Sequence, residues 1–124
     1  MMEIEFINAS NQTAGGVVSG LLVLRPKDEV TIQDSSVSLH WRTEGRGDSN
    51  EAEVSTVDLG DLGTLSPREE RRFAFELPIH PDGPITYDGK LIRVIWEVRV
   101  HLDVPWGWDK KKAFPVRVVP RGGV

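Results

Sequence analysis

The sequence of 124 residues has no cysteine. That excludes disulfides, on which small extracellular domains commonly rely, and zinc sites built on thiolates. It also has no long apolar run. Leu21–Leu24 is the longest clear one, far below the ~20 residues of a membrane-spanning helix. The opening MMEIEFINASN carries neither the basic start nor the apolar stretch of a signal peptide, so a cytoplasmic location and no membrane span are expected. Excess positive charge is missing too. Fifteen Lys and Arg stand against nineteen Asp and Glu, a net charge of −4, which argues against nucleic acid as a partner. Basic residues are scattered except at Lys110–Lys112 and in the Arg68–Arg72 segment.

Catalytic signatures are equally scarce. None of the serines sits in a Gly-x-Ser-x-Gly elbow, and there is neither a Walker loop nor a dinucleotide glycine fingerprint. His40, His80 and His101 lie far apart in the chain. His101 and Asp103 share a strand face, but beside Arg99 they read as partners in ion pairing rather than as metal ligands. His80-Pro81-Asp82 is a second short pairing of the same kind. Glu69-Glu70 stands among Arg68, Arg71 and Arg72 and reads as a solvated turn. Arg46-Gly47-Asp48 and the sequon at Asn11-Gln12-Thr13 require an extracellular setting, so both read as chance. The expectation is a protein with no catalytic site, no metal and no cofactor.

What the chain does have is alternation. Ile92, Val94, Trp96, Val98, Val100 and Leu102 fall on one side of a long segment. Arg93, Glu97, Arg99, His101 and Asp103 fall on the other, with Ile95 the exception. Period two over such a length means an antiparallel strand with one buried and one wet face. Further strands are expected at Glu3–Ile7, Val17–Arg25, Val30–Thr43, Glu51–Leu59, Arg71–Leu77 and Lys112–Val119. Val17–Arg25 is apolar on both faces. Within Val30–Thr43 the apolar phase shifts from Ile32 to Val37, Leu39 and Trp41, which predicts a bulge or bend at Asp34-Ser35-Ser36. Glu44–Asn50 reads as a hairpin loop, Asp61–Pro67 as a turn and Pro78–Gly89 as an irregular crossover. Pro115 places the last strand at an edge. About seven antiparallel strands, with Trp41 and Trp96 as large core pieces, form an all-β immunoglobulin-like β-sandwich in which residues 1–124 are one domain.

Several of these segments together resemble the arrestin-like family. They are Gly16-Val17-Val18-Ser19-Gly20-Leu21-Leu22-Val23, then Leu65-Ser66-Pro67 leading to Arg72–Pro78, then Thr86-Tyr87-Asp88-Gly89 before the strand Leu91–Leu102. The order is similar to that of arrestin N-terminal-type domains, retromer Vps26-like proteins and bacterial sporulation-control-like relatives, and it covers most of Gly15 to Val119. The resemblance implies an arrestin-type sandwich and an adaptor or scaffold role. Arrestins have two such domains, and the chain has room for one. Their first strand presents lysines to phosphate, whereas this one carries Glu3 and Glu5, which would repel it.

Pro105–Lys112 offers a possible interaction surface: Trp106, Trp108, Lys110, Lys111 and Lys112. Either ring instead folds back to cap the open end of the core. Capping is the preferred reading for Trp106, and Trp108 is left open. The expected partner is a protein, with a homodimer through an edge strand, Glu3–Ile7 or Lys112–Val119, as one form of it. The alternative is a small-ligand or carbohydrate-binding sandwich that uses the Trp106/Trp108 loop.

Overall fold

A computed structural model describes residues 2–8, 15–45, 50–80, 84–88, 92–105, 107 and 109–118. They form β1 (Met2–Asn8), β2 (Val17–Pro26), β3 (Val30–Ile32), β4 (Asp34–Gly45), β5 (Glu51–Asp58), β6 (Gly63–Leu65), β7 (Arg71–Pro78), β8 (Tyr87–Asp88), β9 (Ile92–Asp103) and β10 (Lys110–Val116). Leaving out the three shortest, β3, β6 and β8, seven long strands remain, the expected number. One sheet has three strands in the order β1-β2-β7. A second has five, in the order β10-β9-β4-β5 with β8 beside β9, and β3 and β6 form a small two-stranded third. All pairings are antiparallel. The architecture is the arrestin-type β-sandwich.

Alternation fixes which side chains meet between the sheets. Val18, Leu22, Leu24 and Leu77 of the three-stranded sheet are fully buried, as are Val37, Leu39, Val98 and Leu102 of the other. Trp96 is 1 % exposed, and its cross-strand neighbour Trp41 packs on the core while half-buried. Phe6 stacks on Phe75 with centroids 5.5 Å apart and meets Phe114 at 5.7 Å. Its ring fits because Gly20 has no side chain: a Cβ there would stand 2.6 Å from the ring and 2.5 Å from the Ile7 carbonyl oxygen.

Val23 lies on the outer face of the three-stranded sheet yet is 1 % exposed. Its row neighbours are Glu5 and Arg72. Arg25 Nη1 donates to Glu5 Oε2 at 2.6 Å, Arg25 Nε to Glu70 Oε1 at 2.9 Å, and Arg72 Nε to Glu70 Oε2 at 3.0 Å. Long charged side chains laid across a short apolar one account for its burial, and for a strand that is apolar on both faces.

The phase shift after Ile32 is present, but it ends a strand instead of bulging one. β3 pairs with β6, and β4 joins the larger sheet. Gln33 between them donates its N–H to Asp103 O at 3.0 Å, while Ile32 O accepts from Leu62 N at 3.0 Å. The register shift in β4 comes later, between Leu39 and His40, where β5 contributes the extra residue Val54. β6 forms inside the expected turn region because two Asx turns shape its approach. Asp58 Oδ1 accepts from Gly60 N and Asp61 Oδ1 from Gly63 N, at 2.8 and 2.7 Å, with both glycines at positive φ. Tyr87-Asp88, at the end of the expected crossover, pairs with Val94 and Arg93. β10 starts two residues before its expected start, since Lys110 and Lys111 already pair with Leu102 and His101. It is an edge strand, and Pro115 is tolerated there.

Candidate interaction surface

The outer face of the five-stranded sheet is the most built surface among the described residues. Side chains that alternate with the core ones form rows across the strands. Ser36 lies between His101 and Asp58, and His101 is followed by Lys111. In the next row Ser38 lies between Arg99 and Thr56, with Ala113 beyond Arg99. His40 pairs across to Glu97 and Glu53. Small side chains at Ser36, Ser38 and Ala113 leave an open trough of about 470 Å³, rimmed by His40, Glu53, Arg99, His101 and Lys111.

The charges on this face are largely paired with one another. Arg99 donates to Glu97 Oε1 from Nε at 2.9 Å and from Nη2 at 2.8 Å, and it also pairs with Glu51. Arg42 Nη1 donates to Glu44 Oε2 at 2.6 Å, and Arg93 Nη1 reaches Glu44 Oε1 at 3.3 Å. The hydrogen bond from Arg42, reinforced by its charge and that of Arg93, holds the Glu44 carboxyl below its usual range. Ser38 Oγ and His40 Nε2 are 2.7 Å apart. Burial, and next the Arg99 charge, lower the His40 pKa, against the opposing pull of Glu53, Glu51 and Glu97. The imidazole is therefore neutral at pH 7, and its bond to Ser38 satisfies a hydroxyl in a residue only 8 % exposed.

The turn from β9 to β10 borders the same face. Trp106 and Trp108 lie outside the described residues. Asp109 anchors what is described: its Oδ2 stands 3.0 Å from His101 Nε2, and its Oδ1 accepts from Val104 N at 3.4 Å. The bond to His101 is the main reason its carboxyl sits low. The three lysines do not share one patch. Lys111 is exposed at the rim of the trough. Lys110 is half-buried and lines a separate depression of about 220 Å³ with Met2, Asp28 and Glu29. Lys112 reaches across to the other sheet. Its Nζ donates to Ile4 O at 3.1 Å and stands 5.3 Å from the Phe114 centroid.

That reach matters for the sheet edges. β1 and β10 are edge strands of different sheets and meet along one flank, where Lys112 and the Phe6–Phe114 contact close the gap. At the opposite flank Ser55 Oγ, on β5, donates to Pro78 O, on β7, at 2.9 Å. Among the described residues the exposed large apolar side chains are Ile7 and Val17 on the outer face of the three-stranded sheet, and Tyr87 on β8.

Sequence reading found Lys111 and the charged face of β9. It missed the trough, although Ser36, Ser38 and His40 alternate with Val37, Leu39 and Trp41 and so had to face outward.

The Spo0M family model, described as "SpoOM protein", matches residues 5–123. The crystal structure of Spo0M, a sporulation control protein from Bacillus subtilis, superposes with a TM-score of 0.76 at 24 % identity. The match covers 94 % of this chain and 49 % of that one, so this chain spans about half the length of the solved structure. No curated protein matches it.

Proposed function

This chain belongs to the Spo0M family, and from that membership we propose that it is a non-catalytic regulatory module, cytoplasmic, that works by holding a protein partner. Of the relatives its sequence resembles, the sporulation-control branch is matched by the family model. The observation that carries the reading is the outer face of the five-stranded sheet. Its charged groups are tied into pairs around an open trough, a geometry suited to surface contact and not to enclosing a reacting atom. No helix among the described residues is long and apolar enough to cross a membrane.

Self-association through an edge strand is one form this binding takes. Lys112 already occupies the Ile4 carbonyl, so pairing along β1 has to begin beyond that point or displace the lysine. The turn carrying Trp106 and Trp108, continued by Lys111 at the rim of the trough, extends the proposed surface. A small-ligand reading draws on the same place, since the trough begins where β10 leaves that turn.

In-cell photo-crosslinking tests the adaptor reading. A photoreactive residue at exposed Ala113, on the edge strand that borders the trough, should give discrete protein adducts. One at exposed Glu69, remote from it, should not. Identical adducts from both positions, or none from Ala113, would refute the assignment. Light scattering at micromolar concentration reads out the dimer.

A further inference from the structure

We infer that a second copy of this chain pairs with it through β7, antiparallel about Ala74, so that two three-stranded sheets join into one. This rests on the self-association named above and assigns the edge, which is neither β1 nor β10.

The direction of each backbone group follows from the bonds at the strand ends. In an antiparallel strand a residue turns its N–H and C=O to one side, and its neighbours turn theirs to the other. Ile79 O accepts from Gly15 N at 3.1 Å and Ile79 N donates to Gly16 O at 2.8 Å, just ahead of β2. The odd residues of β7 therefore face β2, and Arg72, Ala74, Glu76 and Pro78 face away. On that far side Ser55 Oγ takes the Pro78 carbonyl. The N–H and C=O groups of Arg72, Ala74 and Glu76 have no strand beside them among the described residues, and all three residues are exposed.

The other edges of the two main sheets carry features that stop a strand from adding. On β1 the Ile4 carbonyl is taken by Lys112, and Phe114 lies against Phe6. On β5 the extra residue Val54 breaks the register. On β10 the phase is set through β9. Asp103 O accepts from Gln33 N, which turns the odd residues of β9 toward β4 and the even ones toward β10. Pro115, opposite Glu97, thus lies in the outward phase and has no N–H to give. β7 runs uninterrupted from Arg72 to Glu76.

What fits this edge is its own sequence reversed. A dyad at Ala74 sets Ala74 on the partner's Ala74 and Arg72 on the partner's Glu76, the latter twice by symmetry. Glu76 has no ion pair among the described residues. Arg72 holds Glu70 through Nε and Nη2, which leaves Nη1 for a second carboxylate. On the core side Phe73, half-buried within one copy, meets the partner's Phe75 in the closely spaced type of pair, where aromatic contacts are favourable. Three bonded pairs supply about six backbone hydrogen bonds.

The test uses the full chain, whose lack of cysteine makes Ala74→Cys a single thiol. Cα atoms of a bonded pair stand about 5.5 Å apart, within reach of a disulfide. Mild oxidation should give a covalent dimer far faster than with Ala113→Cys, which is also exposed but lies on β10. In sedimentation Ala74→Pro should be monomeric and folded, because the N–H it removes points away from β2. Glu76→Lys should weaken the dimer about tenfold by facing Arg72 with a like charge at two places. Arg72→Glu/Glu76→Lys should restore it.

A native chain that stays monomeric at high micromolar concentration, a dimer untouched by Ala74→Pro, or equal crosslinking of the two cysteine variants would each overturn the proposal. A dimer that survives Ala74→Pro uses another edge, so the β7 assignment falls and self-association stands. A monomeric native chain removes self-association as well, and the adducts at Ala113 then decide the adaptor reading separately.

Discussion

Replacing Gly20 by alanine tests the packing of the sandwich at its tightest point. The new Cβ would lie 2.5 Å from the Ile7 carbonyl oxygen and 2.6 Å from the Phe6 ring. One obstacle is backbone held in the β1–β2 ladder, the other a ring pinned between Phe75 and Phe114. Neither is the free end of a flexible side chain, so relief requires the strands to separate or Phe6 to leave its stack. Overpacking of this kind costs about 1–3 kcal/mol, and disturbing the aromatic contact adds about 0.5–1.5 kcal/mol. Reduced freedom of the unfolded chain returns about 0.4–1 kcal/mol. The net expectation is destabilisation by about 2–3 kcal/mol. Urea unfolding should show a lower midpoint with an unchanged slope. In the background Phe6→Ala the added cost of Gly20→Ala should shrink without vanishing, because the Ile7 carbonyl remains. A Gly20→Ala protein that unfolds at the wild-type midpoint would refute the close approach of β1 to β2 on which the reasoning stands.

Four further outcomes are expected. Trp96→Ala removes the largest fully buried side chain and should cost about 3–5 kcal/mol by calorimetry; a melting temperature within a few degrees of wild type would contradict its burial. The Trp96 indole N–H is buried with no hydrogen-bond partner, so Trp96→Phe should be markedly milder than the alanine change. His40 has a folded pKa below its unfolded value, so the unfolded chain takes up the proton first and stability declines as pH falls below about 6.5. His40→Gln should flatten that decline in unfolding free energies measured on either side of this pH, and an unchanged slope would exclude His40 as its source. Lys112→Met should raise hydrogen exchange along β1 around Ile4, with a stability loss of about 0.5–1.5 kcal/mol, and unchanged protection there would show that the lysine does not close the flank.

The sandwich was legible in the sequence wherever one face is wet and the other dry. β9 and β7 show it plainly, because water on one side enforces period two over their length. β2 was legible as a strand but not as to which face lay inward, since Val23 is buried on the outer face between Glu5 and Arg72, neighbours that the local sequence does not reveal. The break at Gln33 depends on Asp103, 70 residues away along the chain, and on Ile32 receiving Leu62 N. No local pattern carries that information. The outward direction of Ser36, Ser38 and His40 was readable from alternation alone. That they form a trough was not, because it requires the register that sets Ser38 beside Arg99 and Ser36 beside His101. The three lysines read as a run, yet a strand separates them: alternate residues face opposite ways, so Lys111 and Lys112 serve different surfaces.

The order of strands in the two sheets also sets a timetable for synthesis. The three-stranded sheet can close as soon as Pro78 has been made, but β4 covers only part of the apolar face it presents, and the rest waits for β9, which is complete only at Asp103. At about 5–20 residues per second the growing chain holds that face partly uncovered for roughly one to five seconds. The last contact, Lys112 on Ile4, joins residues 108 positions apart, and such distant pairings form slowly. The period of greatest vulnerability to misassembly therefore falls late, when most of the chain exists and its interior still lacks a lid.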